Sequence, residues 1–261
     1  MMNQTTFPRI VMLCVPCEPT TIMYNEVAKK YGVHQVYFEE KESAKTIIKR
    51  RVKKLGWWKV FGQILFQLSI QKILQKSVPA AVKRLVSAGL IDDTEIPADK
   101  IKNVGSANDP QTIEAILALK PDLILINGTR ILSKRFLEAM PCPVLNVHAG
   151  ITPCYRGVHG AYWALVNKDA AHCGVTVHLV DTGIDTGGIL AQTIIKPTAN
   201  DHFSTYPVLQ FAAALPLLTD SIDKVLKKQH QLQASPVCTS GLWYHPTLWE
   251  YLYNRIITGI K

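Results

Sequence analysis

The stretch RIVMLCVPCEPTTIMYNEVAKKYGVHQVYF, from Arg9 to Phe38, decides the fold class. Arg9–Val15 is a short apolar run rich in β-branched side chains and reads as a buried strand. Pro19 to Tyr31 reads as a helix that Gly32 stops, and Gln35–Phe38 as a second strand. Strand, helix and strand at this spacing predict parallel neighbours in an α/β sheet.

The same pattern resumes downstream. Ile101–Val104, Asp122–Asn127 and Val144–Val147 read as strands, with helices from Asp109-Pro110 to about Leu119 and from Ser133 to Met140. Val158 to Asn167 reads as helical. Gly174–Val180 and Ile189–Ile195 read as two strands joined by a Gly-rich turn, and Ser204 to about Gln231 as a long helix. From Ala234 on, the chain is aromatic (Trp243, Tyr244, Trp249, Tyr251, Tyr253) and is expected to pack back onto the body. The expectation is a Rossmann-like, mainly parallel sheet with a basic helical insert and a C-terminal helical tail. Residues 1–200 would form the catalytic unit, the insert spanning about 41–88, and residues 201–261 a helix and aromatic tail packed on it.

Length and composition agree with this. The chain has 261 residues, 48% hydrophobic and 19% charged, which suits a large folded core rather than disorder. The net charge is +9, but it is not evenly spread. Between Lys41 and Arg84 lie twelve basic residues and one acid, Glu42, a local net of +11, so the remainder carries −2. This argues for a nearly neutral body with a cationic insert and against a protein that coats nucleic acid. The insert is helical in pattern, broken near Gly56 and Pro79, with Trp57, Phe61, Ile64, Leu65 and Leu68 on one stripe. A basic helix backed by aromatic residues is compatible with three uses: a solvated helix pair, a seat for an anionic acceptor, or a peripheral membrane contact.

Met1 to Pro8 lacks the pattern of a signal peptide, no long apolar run suggests a spanning helix, and the six cysteines do not read as a disulfide scaffold. A cytoplasmic protein is expected, and peripheral contact with the inner face of the membrane is compatible.

The chemistry gathers in VLNVHAGITPCYRGVHGAYWAL, Val144 to Leu165. Strand alternation points Asn146 and His148 the same way, at a strand's carboxyl end, where open α/β sheets build their sites. Downstream, HLVDTGIDTGGIL places Asp181 and Asp185 in a loop between two strands. An amide donor, an imidazole and a carboxylate suit acyl transfer to an amine without a Ser or Cys nucleophile. The amide and a protonated imidazole can stabilise an oxyanion, and the carboxylate can take the amine's proton. Each piece alone has a plainer explanation, since a lone strand-end His is usually structural and Asp-Gly steps favour turns.

Together, Asn146-Val147-His148, Ile151-Thr152-Pro153…Arg156-Gly157 and Asp181-Thr182-Gly183-Ile184-Asp185-Thr186-Gly187 resemble the signature of the 10-formyltetrahydrofolate-dependent formyltransferases. The resemblance covers about Ile101 to Pro197. It implies Asn146, His148 and Asp185 as catalytic residues, with Asp181 the weaker choice for the carboxylate. It also implies a folate-reading loop at Gly128, Arg130, Ile131 and Leu132, closed over by Val180, Asp181 and Ile184. Without the other motifs, Gly128–Leu132 is simply a strand-to-helix connection. Acceptor contacts are expected from Pro153, Tyr155, Arg156, Gly157 and His159, while His178 is expected to be structural. The formyl donor implied is 10-formyltetrahydrofolate, and no metal is expected, since His172 and Cys173 lack a second ligand pair.

Departures from the family pattern narrow the acceptor. Cys14 to Pro19 contains two prolines where the glycinamide ribonucleotide enzymes carry a Gly-rich phosphate loop. Only 66 residues follow Ile195, short of the barrel that the tRNA enzymes carry. The expected acceptor is therefore a small, anionic amine, first an amino sugar on a nucleotide carrier, as in surface polysaccharide synthesis, and next an amino-acid type. Nucleic acid is not an expected partner; a homodimer is compatible. A different class, a dithiol redox protein, rests on Cys14-x-x-Cys17 between a strand and a helix.

Overall fold

β1 (Ile10–Cys14) lies at the middle of the molecule, and all five of its residues are shut off from solvent. The computed structural model describes residues 7–261, so the reading of the extreme N-terminus falls largely outside the described residues. Alternation along β1 sends Ile10, Met12 and Cys14 into one apolar layer and Val11 and Leu13 into the other. Side chains of this size each contribute about 1.5–3 kcal/mol when fully buried, so this strand anchors both layers.

In chain order, α1 (Glu18–Tyr31) follows, with Pro19 in its first turn and Gly32 at φ +73° as its stop. Then come β2 (Gln35–Glu39), α2 (Ala44–Leu55) and α3 (Trp57–Phe66), the last two parted by Gly56 at φ +82°. A π-helical turn leads from α3 into α4 (Lys72–Gln75), followed by α5 (Val78–Ser87). The α/β pattern continues with β3 (Ile101–Val104), α6 (Pro110–Ala118), β4 (Leu123–Asn127), α7 (Lys134–Ala139) and β5 (Val144–His148). After the short β6 (Arg156–Gly157) and α8 (Gly160–Val166) come β7 (Gly174–Leu179), β8 (Ile189–Ile194) and α9 (Tyr206–Leu226). The tail forms β9 (Leu242–Trp243) and α10 (Leu248–Thr258).

Seven strands make one sheet in the order β3-β2-β1-β4-β5-β7-β8. The first five are parallel and β7 and β8 are antiparallel, as a mainly parallel α/β reading expects. α1, α5 and α9 cover one face, and α6 and α7 the other. A third apolar cluster lies beyond the sheet, where Phe66, Tyr162, Phe203 and Tyr251 pack ring on ring.

Two features differ from the sequence reading, and a third settles the direction of the α3 stripe. The stripe through Trp57, Phe61 and Leu68 faces solvent, because α3 buries the opposite side, through Val60, Gly62 and Phe66. α9 ends at Leu226, where the chain turns through Lys228 at φ +55°. Cys154 and Cys238, 84 residues apart, form a disulfide that holds the tail against the 150s loop, and β9 pairs with β6 beside it. Cys14 and Cys17 are free, and burial pushes the Cys14 thiol well above its usual range. Dithiol exchange needs the opposite shift, so the redox reading is set aside. Among the described residues no helix is long and apolar enough to cross a membrane.

α8 starts so close to the turn after β5 that a Cβ on Gly160 would lie 2.6 Å from the Gly150 Cα and 2.7 Å from the Ala149 carbonyl oxygen. Gly160→Ala is therefore expected to cost about 1–3 kcal/mol by overpacking. Urea denaturation measures it, and an unchanged midpoint contradicts this packing.

Candidate active site

β5 ends in Asn146-Val147-His148, and its two polar side chains sit on the same side of the strand. The antiparallel register of β7 sets His178 directly opposite Asn146 and Thr176 opposite His148. The chain then turns sharply. Thr176 stabilises this turn, its hydroxyl donating to the Gly150 carbonyl (2.8 Å) and accepting from the Thr152 N–H (3.1 Å).

His148 is buried, and both its ring nitrogens face acceptors. Nε2 donates to the Tyr155 carbonyl at 2.8 Å, and Nδ1 lies 3.4 Å from Oδ2 of Asp185. A carbonyl only accepts, so Nε2 carries a proton, and Nδ1 faces the Asp185 carboxylate. The same Oδ2 accepts the Gly157 N–H at 2.9 Å. Asp185 itself adopts φ +51°, and Gly157 φ +93°. A Cβ on Gly157 would also lie 2.4 Å from the Trp243 carbonyl oxygen, so both the turn and the close approach call for glycine.

His178 is not the bystander the sequence suggests. Its Nδ1 donates to its neighbour's carbonyl, that of Leu179 (2.7 Å), which leaves Nε2 of the neutral ring to accept from the Asn146 amide at 3.1 Å. Burial lowers the His178 pKa, consistent with the neutral form. His178 thereby orients the Asn146 amide, with one of its N–H groups held and the other left for the cleft. The signal available in the sequence was the pair of strands itself, whose antiparallel register brings 178 to 146.

These groups line a cleft of about 410 Å³. Its walls are the Ile126–Leu132 loop, the end of β5, Gly157-Val158 and the Val180–Asp185 loop. A second cavity of about 490 Å³, lined by Pro153, Arg156, Gly187 and tail residues 232–240, shares Asp185 with neighbouring loop residues. Asp185 thus borders both spaces. Arg156 donates to the Ile184 carbonyl (3.3 Å) through Nη1, while its buried Nε has no partner.

The remaining predicted residues divide. Gly128, Ile131, Leu132, Val180 and Ile184 line the cleft. Arg130 also borders it, with three of its guanidinium N–H groups turned to the protein. Its backbone N–H bonds Glu39 (2.8 Å), and its guanidinium bonds Glu39 (3.2 Å), the Gly105 carbonyl (2.7 Å) and the Glu40 carbonyl (2.8 Å). Arg130 braces the loop rather than presenting a charge to a ligand. Asp181 closes its own turn, accepting from the Gly183 N–H (2.9 Å) and the Thr186 hydroxyl (2.7 Å), and has no ion-pair contact with His148. Tyr155 and His159 are not placed as acceptor contacts. The Tyr155 ring is buried against Trp243 and its hydroxyl donates to Asp169, so its part in the site is its carbonyl. His159 packs on Phe203 and His245 and lines a different cavity.

Residues 66–207, more than half the chain, match the sequence profile of a family described as Formyl transferase. A methionyl-tRNA formyltransferase of Trichlorobacter lovleyi is 45% identical over 94 residues, 36% of this chain and 29% of that protein. Even the longer match to the Kosmotoga olearia homologue spans 53% of that protein, so the chain corresponds to only part of these relatives. In structure, the chain resembles glycinamide ribonucleotide transformylase 1 from Symbiobacterium toebii, with a TM-score of 0.57 at 15% identity over 90% of this chain and 95% of that one. An N-formyltransferase from Helicobacter canadensis in complex with folinic acid and dTDP-3-aminofucose gives a TM-score of 0.53 at 15% identity over 90% of this chain and 70% of that one. At these identities the structural likeness speaks to the fold alone.

His159, His178 and His245 are buried in forms that resist protonation, with His245 lowered to about 4 mainly by burial. An unfolded His titrates near 6.5, so below that pH the unfolded chain binds protons that the native chain refuses. Stability is expected to fall as pH drops from 7 to 5, seen as a lower thermal midpoint. A midpoint that rises on acidification contradicts this assignment.

Proposed function

The chain belongs to the formyl transferase family, and on that premise we propose that it transfers a formyl group from 10-formyltetrahydrofolate to a primary amine. The observation that carries the proposal is the joint placement of an amide, an imidazole and a carboxylate on the wall of one cleft. The cleft suits the donor's flat ring. Its walls are largely apolar, through Ile126, Leu132, Val180 and Ile184, with backbone polar groups in the 128–132 loop to read the ring's edge.

In this reading the amine lone pair attacks the formyl carbon, forming a C–N bond and placing negative charge on the former carbonyl oxygen. The free N–H of Asn146 donates to that oxyanion, and His148 in its protonated form supplies positive charge beside it. Asp185 favours the protonated His148 and accepts the proton that the amine gives up, directly or through water. Collapse re-forms the carbonyl and breaks the bond to the folate nitrogen, which takes up a proton and leaves as tetrahydrofolate. Asp185 borders both cavities, so the donor ring is assigned to the cleft and the acceptor to the space beside Arg156 and the tail.

The acceptor class we favour is an amino sugar on a nucleotide carrier. Its support is the cationic Arg156 with an unpartnered Nε beside Asp185, and the likeness of the fold to an enzyme crystallised with such a sugar. Asn146→Ala, His148→Ala and Asp185→Asn are each expected to lower kcat by about a hundredfold or more while leaving the fold intact. Tetrahydrofolate release, followed across a panel of nucleotide-linked amino sugars, glycinamide ribonucleotide and free amino acids, tests both levels. Full turnover in the Asp185 variant sinks the mechanism, and turnover confined to amino acids sinks the acceptor class.

A further inference from the structure

We infer that α3 and α10 together form a docking face for an anionic phospholipid surface. On α3, Trp57, Trp58 and Phe61 make one aromatic cluster, with Trp58 75% exposed. The helix lies directly on α10. Gly62 has no room for a side chain because the Trp249 indole covers it, and Lys59 pairs with Glu250 across the seam (3.6 Å). From Trp249 the exposed apolar residues of α10 continue through Leu252, Tyr253 and Ile256, at the three- and four-residue steps that make one helical stripe. Ile256 is 81% exposed. The two stripes therefore join into one outward apolar face, larger than scattered surface residues would account for.

Charge beside this face names the partner. α2 packs against α3 and buries none of its own residues. Lys45, Lys49 and Lys53 run along it at four-residue steps, all exposed. Of the twelve basic residues between Lys41 and Arg84, only Arg50, Lys59 and Arg84 have an acidic partner within ion-pair distance among the described residues. Unpaired cations next to Trp, Tyr and aliphatic side chains fit a surface with phosphate groups above hydrocarbon. RNA fits less well, because Leu252 and Ile256 cannot stack on bases and would stay in water. Trp57 to Phe61 and all of α10 lie outside the residues that match the family profile.

The test is flotation of the full chain with vesicles of equimolar phosphatidylcholine and phosphatidylglycerol, against phosphatidylcholine alone, at low and high salt. Most of the chain is expected to float with the anionic vesicles at low salt, with a blue shift in Trp emission, and little with the neutral ones. Trp58→Glu combined with Ile256→Glu, and separately Lys49→Glu combined with Lys53→Glu, are each expected to reduce the floated fraction about tenfold. Far-UV circular dichroism checks that each variant is folded, and the lysine pair, being exposed, keeps the test open if the apolar pair is not. Absence of flotation on anionic vesicles at low salt overturns the inference, as does flotation that neither pair weakens. It is also overturned if sedimentation shows the apolar pair splitting a dimer, which would make a second copy the occupant. Tighter binding to a hairpin RNA than to the vesicles, lost in the same variants, overturns it as well.

Discussion

One carboxylate oxygen holds the site together. Oδ2 of Asp185 receives the Gly157 N–H and faces the His148 ring, so the β7–β8 loop, the 150s loop and the end of β5 meet at one atom. The contact demands unusual backbone at two of its ends: Asp185 and Gly157 both adopt positive φ. Such conformations cost of order 1–3 kcal/mol for a non-glycine residue and persist where the surroundings fix them. Here the surroundings are β9, which pairs with β6, and the Arg156–Ile184 bond. The aromatic tail is therefore a support of the cleft and not a mere appendage.

The parallel core was legible because its signals are local. Runs such as IVMLC and LILIN stop at Pro or Gly and are buried on both sides, so their limits read directly from the chain. Asn146 and His148 were legible as a pair through strand alternation, and Asp185 through the motif around it. His178 was misjudged because its use depends on register across two strands, which a single strand does not reveal. Tyr155 was misjudged because it serves through its carbonyl, and no side-chain pattern marks that. The stripe of α3 was legible in its period but not in its direction. Periodicity defines a face, and only the contact of Gly62 with Trp249 says which way it turns. α10 carried an overlooked signal, Thr247 and Glu250 in a capping box at its start.

Charge is concentrated away from the cleft. The sheet and its cleft belong to the nearly neutral body, where Asn146, His148 and His178 are each hydrogen-bonded. Of the basic helices, α2 contributes no buried residue at all, while α5 packs Val82 and Leu85 against the sheet. α3 joins the cluster beyond the sheet and α5 one face of it, while Asn146 and His148 sit at the end of β5.

The Cys154–Cys238 bond makes a covalent ring of everything between those residues. α8, β7, β8 and α9 lie inside it, together with the loop that bears Asp185. Closing a loop of 84 residues removes unfolded-chain entropy worth about 4–5 kcal/mol in the chain-entropy model. It also means that one cut anywhere in the exposed 231–237 segment leaves a two-piece chain still joined at the sulfur atoms. Such a nicked molecule would keep its full mass without reductant and part into two fragments with it.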